Sequence, residues 1–526
     1  MRMETKSSAS LEKTDDGSFS QVTHGDGDNA SELVIGLVGA VGTNLDLLKV
    51  SITEMLKAYS YEVVEIRISK DIIKELHPIY QTRDNFKIAN ELMTAGNRLR
   101  EKSKNNAVLS MAISALISSS RVKDINNTPT PNPRKVYIIH SLKHPDEVNL
   151  LREVYTNGFY LIGVYANEIR RIKYLVDHRY MTEVEAKKLI SRDADEDEKW
   201  GQHTRDTYEL SDFFVNFDNN YDRITNQLWR FFDLIFGKPN VSPTFDEYAM
   251  SMAYSASLRS ADLSRQVGAV LTKNNMILTT GANDIPAFGG GLYWPIDTND
   301  SIEDVPGGKD YTLGYDSNAR EKKNIISDIL ERTLNHINAC KEEGIFSNKD
   351  KILEIITNSL NKSKIKDITE YGRVVHAEME AILSCARSEI NTNKATIYCT
   401  TFPCHNCAKH IVASGIEKVI YIEPYPKSKA FDFHIDSITS LENPSDKNKV
   451  IFEPFVGVGP RCFFNLFSIN LGIGYKIKRK DSDGNVVKWE RRNGRLRIQM
   501  LPSSYIEKEL KTADSLNNMI SQLKGD

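Results

Sequence analysis

The sequence predicts an α/β protein made of two unlike α/β parts in one chain of 526 residues. Three observations predict it. A short apolar run, LVIGLVGA at Leu33–Ala40, enters a glycine turn and then a stretch with helical spacing, and later apolar runs alternate with helical segments. That order belongs to a parallel sheet. Next, KPNVSPT at Lys238–Thr244 breaks the pattern with two prolines and a cap-forming Ser/Thr pair. Beyond the break, the order becomes β-β-α-β-α-β, with metal-type residues at helix starts. A chain this long exceeds one ordinary hydrophobic core, so more than one domain is expected.

Residues 1–30 are rich in Ser, Asp and Gly and lack an apolar signal core, and they read as a disordered leader. Residues 31–240 form the first α/β region. After the glycine turn come a helix through LDLLKVSITEMLKAYSY, a strand at YEVVEIRIS, and strand-like runs at VYIIHSL and FYLIGVYA. The sheet closes near SDFFVNF, and a helix follows through LWRFFDLIFG. Residues 241–526 form the second region, an α/β/α arrangement. It opens with a helix and the strand pair RQVGAVLTKNNMILTTGAND, which turns at Lys273-Asn-Asn. A polar insertion spans 289–365, with glycine clusters and one good helix around ISDILERTLNHINACKEE. Then come the helix in HAEMEAILSCAR, the strand ATIYCTT, the helix CHNCAKHIVASG and the strand KVIYIE. The extension 450–526, with EPFVGVGPRCFFNLF and a hairpin at DSDGN, is expected to pack back on this second region.

Composition narrows the function. An apolar fraction of 40% with 26% charged residues is that of a soluble globular chain. No run is long and apolar enough to span a bilayer, and a cytoplasmic location is expected. A formal charge of −3 argues against a dominant electrostatic grip on nucleic acid, and the short basic run KIKRK reads as a solvated face. Six cysteines in such a chain make no disulfide framework. Only Cys404 and Cys407 are grouped.

That pair, within TTFPCHNCAKH, has three readings by itself: a redox switch, half of a structural zinc site, or two ligands of a catalytic metal. Its company decides. His376 precedes it in His376-Ala377-Glu378, and no second Cys-x-x-Cys is present. His376, Cys404 and Cys407 fill three tetrahedral zinc positions and leave one for water, the pattern of a catalytic zinc. Pro403 suits a helix start, where the helix dipole favours thiolates. Glu378 is placed to take a proton from water and deliver it to a substrate ring. His-x-Glu with Pro-Cys-x-x-Cys is the signature of zinc-dependent nucleobase deaminases, in which C4 of cytosine is attacked, N3 is protonated and ammonia leaves.

HAEMEAI with PCHNCAKHIVASGIEKVIYIEPYP resembles the cytidine and deoxycytidylate deaminase family, particularly its deoxycytidylate branch. SRQVGAVLTKNNMILTTGAND is similar to the family's opening hairpin. The resemblance implies a nucleotide-sugar contact at Asn283, for which a turn role is the alternative, and weaker phosphate and base contacts at Arg265 and Tyr425. It also implies a homo-oligomer. The long insertion departs from the short enzymes of the family.

GLVGAVGTN sits where a P-loop would, after a buried strand and before a helix. Aligned on Gly42, Leu37 replaces the first glycine of the motif, Thr43 its lysine and Asn44 its Ser/Thr. Gly39, Gly42, Thr43 and Asn44 are therefore candidates for nucleotide phosphate, with a purely structural turn or an active kinase as alternatives. The region resembles a degenerate P-loop nucleotide kinase, with Asp193 and Asp195 in RDADEDE fitting that pattern. A chain with this front region, both zinc motifs and the EPFVGVGPR tail resembles bacterial anti-phage deoxycytidine nucleotide deaminases. The resemblance implies conversion of dCTP or dCMP to deoxyuridine nucleotides, depleting dCTP during infection. Uncontrolled loss of dCTP would harm the host, so control through residues 33–240 by a nucleotide, a protein or an inhibitory RNA is expected. An editing deaminase acting on RNA or DNA, and a nucleotide-responsive interaction protein with structural zinc, are the alternatives.

Overall fold

The computed structural model describes residues 31–76, 82–194, 200–217, 220–339, 349–361, 363, 365, 368, 370–424, 428–440, 448–470 and 472–525. The run Leu33–Gly39 forms strand β1, and all seven of its residues are buried. A central parallel strand covered on both faces requires this. Asn44 caps α1 (Leu45–Lys57) by accepting from the Leu47 N–H, as a short polar side chain does at this position. The first region continues through β2 (Glu62–Arg67), α2 (Lys74–Leu76), α3 (Asn85–Ser103), α4 (Val108–Ser119) and β3 (Lys135–His140). It goes on through α5 (Pro145–Tyr155), β4 (Phe159–Tyr165), α6 (Glu168–Arg179), α7 (Glu183–Ala194), α8 (Thr204–Glu209), β5 (Phe213–Asn216) and α9 (Tyr221–Ile235). These five strands run parallel in the order β5-β4-β1-β3-β2, the sheet expected of a P-loop-kinase-like region. Apolar residues of α1 and α9 cover one face, and those of α4 and α5 cover the other.

The second region begins at α10 (Phe245–Ser257), where Thr244 and Glu247 close a reciprocal capping box. Strands β6 (Gly268–Lys273) and β7 (Met276–Ala282) form the expected hairpin. The insertion holds a short hairpin of β8 (Ile296–Asp297) and β9 (Ile302–Glu303), then α11 (Asp310–Leu313), α12 (Ser317–Ala339) and α13 (Lys349–Asn361). It is thus more ordered than the single helix expected. Its polar, exposed helices bury too little apolar surface to stand out in the sequence. Next come α14 (Ala377–Arg387), β10 (Thr396–Thr401), α15 (His405–Ala413), β11 (Lys418–Glu423), α16 (Ala430–Phe433), β12 (Ile438–Ser440) and β13 (Val450–Pro454). The second sheet has the order β12-β13-β11-β10-β6-β7. Its β6–β7 and β6–β10 pairs are antiparallel and the rest parallel.

The tail corrects one expectation. Only β13 stays with the second sheet. The next strand, β14 (Gly457–Val458), pairs antiparallel with β5 and becomes the edge of the first sheet. Helix α17 (Pro460–Phe467) sends Cys462 and Leu466 into the first region's core. Helix α18 (Pro502–Gly525) packs on α4 and α5. The tail covers the first region because the β5 edge and the α4 surface would otherwise expose unpaired backbone and apolar area. The hairpin at DSDGN is present, with Lys480 and Val486 bridged across it.

One buried carboxylate joins the regions. Glu247 accepts from Arg230 on α9 at 2.6 and 2.7 Å, from Thr244 N at 2.8 Å and from Val458 N on β14 at 2.8 Å. The apolar core is also shared, since Phe214 and Tyr208 cluster with Met250, Val270, Tyr398 and Phe455. The leader 1–30 and Asp195 lie outside the described residues.

Candidate active site

The site forms where the β6–β7 hairpin, α14 and the β10–α15 connection meet. Gly281 on β7 lets α14 lie directly on the hairpin, because a Cβ there would come within 2.1 Å of the Ala377 carbonyl oxygen. His376 is the residue before the first helical turn of α14, with φ −68° and ψ 152°. Just upstream of it, Val375 N donates to the Asp284 carbonyl at 3.0 Å and ties the helix entry to the end of the hairpin. Strand β10 delivers Phe402 and Pro403 to Cys404, which caps α15, and the Cys407 N–H donates to Cys404 Sγ at 3.4 Å. Cys404 and Cys407 therefore share the first turn of one helix, with Cys407 fully buried.

The structure brings His376, Cys404 and Cys407 together, with one ligand atom of each within 4.8 Å of the others. His376 Nδ1 is 3.3 Å from Cys407 Sγ and 3.4 Å from Cys404 Sγ. Hydrogen bonding from Cys407 and from His376 pulls the Cys404 thiol down to about 3. The same contact with Cys404 raises His376 to about 9. Burial pushes Cys407 up. Two sulfurs and one imidazole at these separations suit a tetrahedral zinc ion, and three protein ligands leave it one further position.

Glu378 stands in the first turn of α14 and is 4% exposed. Burial raises its pKa, against the charge of His376 and hydrogen bonding from Cys407. A carboxyl group in that setting binds a proton more readily than one in water and can pass it on.

Asn283 lies at the end of β7 and is buried. Its Oδ1 accepts from Val267 N at 2.6 Å and its Nδ2 donates to the Arg265 carbonyl at 2.9 Å. It thus holds the 265–267 loop, and its amide keeps a second lone pair and a second N–H. The Arg265 guanidinium donates to Glu423 Oε1 at 3.1 Å. Tyr425 lies outside the described residues.

Sequence reasoning missed Glu423. It ends β11, accepts from Thr401 Oγ1 at 2.6 Å and braces both Arg265 and the strand leading to Cys404. Its place as the last residue of KVIYIE, directly before a proline, was the available signal. Two ion pairs docking the insertion were also missed: Lys309 with Asp284 at 2.9 Å, and Arg373 with Asp310 at 3.1 Å. No local pattern announced them.

In the first region, Gly39 ends β1, Gly42 has φ +88°, Thr43 N donates to Ala40 O at 3.0 Å, and Asn44 caps α1. These four residues make one turn at the carboxyl edge of the sheet, far in sequence from the zinc ligands.

Fold and site define a zinc-dependent hydrolytic deaminase. The family model described as the cytidine and deoxycytidylate deaminase zinc-binding region matches residues 243–423. The deoxycytidylate deaminase of Enterobacteria phage T2 is 33% identical over 180 residues, 34% of this chain and 80% of that protein. The deoxycytidylate deaminase of Enterobacteria phage T4 is 31% identical over 181 residues, 34% of this chain and 78% of that one. The chain belongs to the cytidine and deoxycytidylate deaminase family. Among solved structures, apo dCMP deaminase from cyanophage S-TIM5 aligns with 41% of this chain and 100% of its own, at 16% identity and a TM-score of 0.21.

Proposed function

We propose that this chain deaminates free deoxycytidine nucleotides, dCMP or dCTP, to the deoxyuridine nucleotides. The observation that carries the reading is the buried Glu378 beside the three-ligand cluster of His376, Cys404 and Cys407. A purely structural zinc has no use for a buried proton carrier next to it. A bound zinc ion supplies Lewis acidity that brings the pKa of water toward about 7.

The chain's own residues then divide the work. His376, Cys404 and Cys407 hold the ion. Glu378 takes a proton from the attacking water, gives it to N3 of cytosine, and later returns a proton to the departing amino group. Cytosine and water become uracil and ammonia, with no other co-reactant. Asn283 presents its remaining amide donor and acceptor to the sugar, and Arg265 lies at the phosphate end. That the two curated relatives are named deoxycytidylate deaminases supports dCMP as the first substrate to test.

The biological role we infer is depletion of deoxycytidine nucleotides during phage infection, in the cytoplasm and as a homo-oligomer. No helix among the described residues is long and apolar enough to cross a membrane. The first region, 31–240, is proposed as the regulatory part, responding to a nucleotide, a protein or an RNA.

The test incubates purified protein with dCMP, dCTP, CTP, cytidine and single-stranded DNA, and resolves products by chromatography. Deoxyuridine nucleotides from dCMP or dCTP are expected. Uracil appearing in the DNA alone would replace this reading with an editing enzyme.

A further inference from the structure

The glycine turn already holds an anion, and the anion is part of the chain. Asp193, at the end of α7, is 1% exposed. Its Oδ2 accepts from the Val41 N–H at 2.7 Å, within the turn itself. Its Oδ1 accepts from Lys143 Nζ at 2.9 Å and from Thr204 Oγ1 at 3.2 Å. The same Lys143 Nζ donates to the Gly39 carbonyl at 2.9 Å. Lys143 comes from the loop after β3, so a lysine absent from the turn in sequence is present there in space.

Arg171 closes the other side. A Cβ on Gly42 would lie 2.7 Å from the Arg171 carbonyl oxygen, and Arg171 Nη1 donates to the Val41 carbonyl at 3.4 Å. Backbone N–H groups and a lysine converging on one buried anion is how such turns hold phosphate. Here a side-chain carboxylate receives them.

The residues that grip Asp193 also lead to the deaminase site. Thr204 is the first residue of α8, and His203 N donates to the Lys143 carbonyl at 2.9 Å. Helix α8 packs against both β1 and β11. Glu209, the exposed last residue of α8, lies within electrostatic reach of Glu423, Asp206 and Arg265. Glu423 and Arg265 are the pair that braces the Cys404 strand and the Asn283 loop.

We propose that Asp193 is an internal latch that keeps the glycine turn closed against nucleotide phosphate, and that the latch reports to the deaminase site through α8. A nucleotide enters the turn only by exchange with the Asp193 carboxylate. Removing the carboxylate leaves Val41 N–H and Lys143 free to take phosphate. The report to the second site rests on the deaminase reading above, whereas the latch itself does not.

The experiment uses the full chain and ATP, whose base is not a cytosine. Calorimetric titration compares the unaltered protein with Asp193→Ala and the isosteric Asp193→Asn. ATP is expected to bind Asp193→Ala at least tenfold more tightly than the unaltered protein, with Asp193→Asn between them. Equal affinities overturn the latch, as does absence of binding by all three while circular dichroism shows them folded. If Asp193→Ala does not fold, Asp193→Asn against the unaltered protein decides alone, with tighter ATP binding expected. In the second arm, ATP is expected to change kcat/KM for dCMP at least threefold in the variant. An ATP-binding variant whose dCMP kinetics ignore ATP removes the link through α8. If no form turns over dCMP or dCTP, the deaminase reading fails while the binding arm still stands.

Discussion

A carboxyl group sealed at 4% exposure in the first turn of a helix is costly to hold charged, and Glu378 is in that position beside three metal-type ligands. Glu378→Gln keeps the shape and removes the proton carrier. Turnover is expected to fall by about 10²- to 10⁴-fold, while zinc measured by plasma emission stays at the unaltered level. Cys404→Ala should lose the metal itself, since it removes one of three ligands and the side-chain cap of α15 together. Loss of activity with full zinc content in Cys404→Ala would contradict the ligand assignment. Gly281 tests the frame rather than the chemistry. Its missing Cβ is what lets α14 approach β7, so Gly281→Ala should cost about 2–3 kcal/mol in denaturant unfolding.

At the level of elements, α18 is held by a buried charge cluster. Arg121 pairs with Glu32 at 2.8 Å and with Glu509 at 2.6 Å, and all three side chains are almost fully buried. Arg121→Met strands two carboxylates in the core and is expected to cost about 3–5 kcal/mol, read as a shift in the urea midpoint. Asp233 on α9 gives a pH signature. Burial by itself would raise its pKa, but hydrogen bonds from Arg491, Tyr59 and Lys238 hold it below 3.8. A depressed folded value means that the stabilisation is present above the unfolded pKa and is lost as pH falls through the folded one. Thermal stability should therefore drop below about pH 4. Asp233→Asn should be less stable near neutrality and flatter across that acid range in calorimetry.

Across the whole molecule, the two sheets share one apolar core and one carboxylate junction at Glu247. A fragment ending near residue 240 loses β14, α17 and α18, and exposes the faces they cover. Such a fragment is expected to precipitate, whereas the full chain should unfold in one calorimetric transition. Two resolved transitions would show that the halves are independent. The insertion belongs to this scale too, because its Lys309 pairs with Asp284 beside Asn283 and its Asp310 pairs with Arg373 just before His376.

The sequence by itself determined the chemistry and the local structure that carries it. His376, Cys404 and Cys407 announce a zinc set by residue type and spacing, and Thr244 marks a helix start because capping is settled within one turn of chain. Strands β1, β3 and β4 are legible as apolar runs for the same reason: a buried strand writes its burial into its own residues. Tertiary structure decided what depends on a distant partner. The tail's apolar residues show that it packs, not that it packs on the first sheet, because the hydrophobic effect is non-directional. Asp193 reads as part of a kinase-like acidic stretch, with no partner named, until folding sets it against Val41 and Lys143. The candidate ligands were visible in the chain, and the contact of Asp193 with the glycine turn was visible only in the fold.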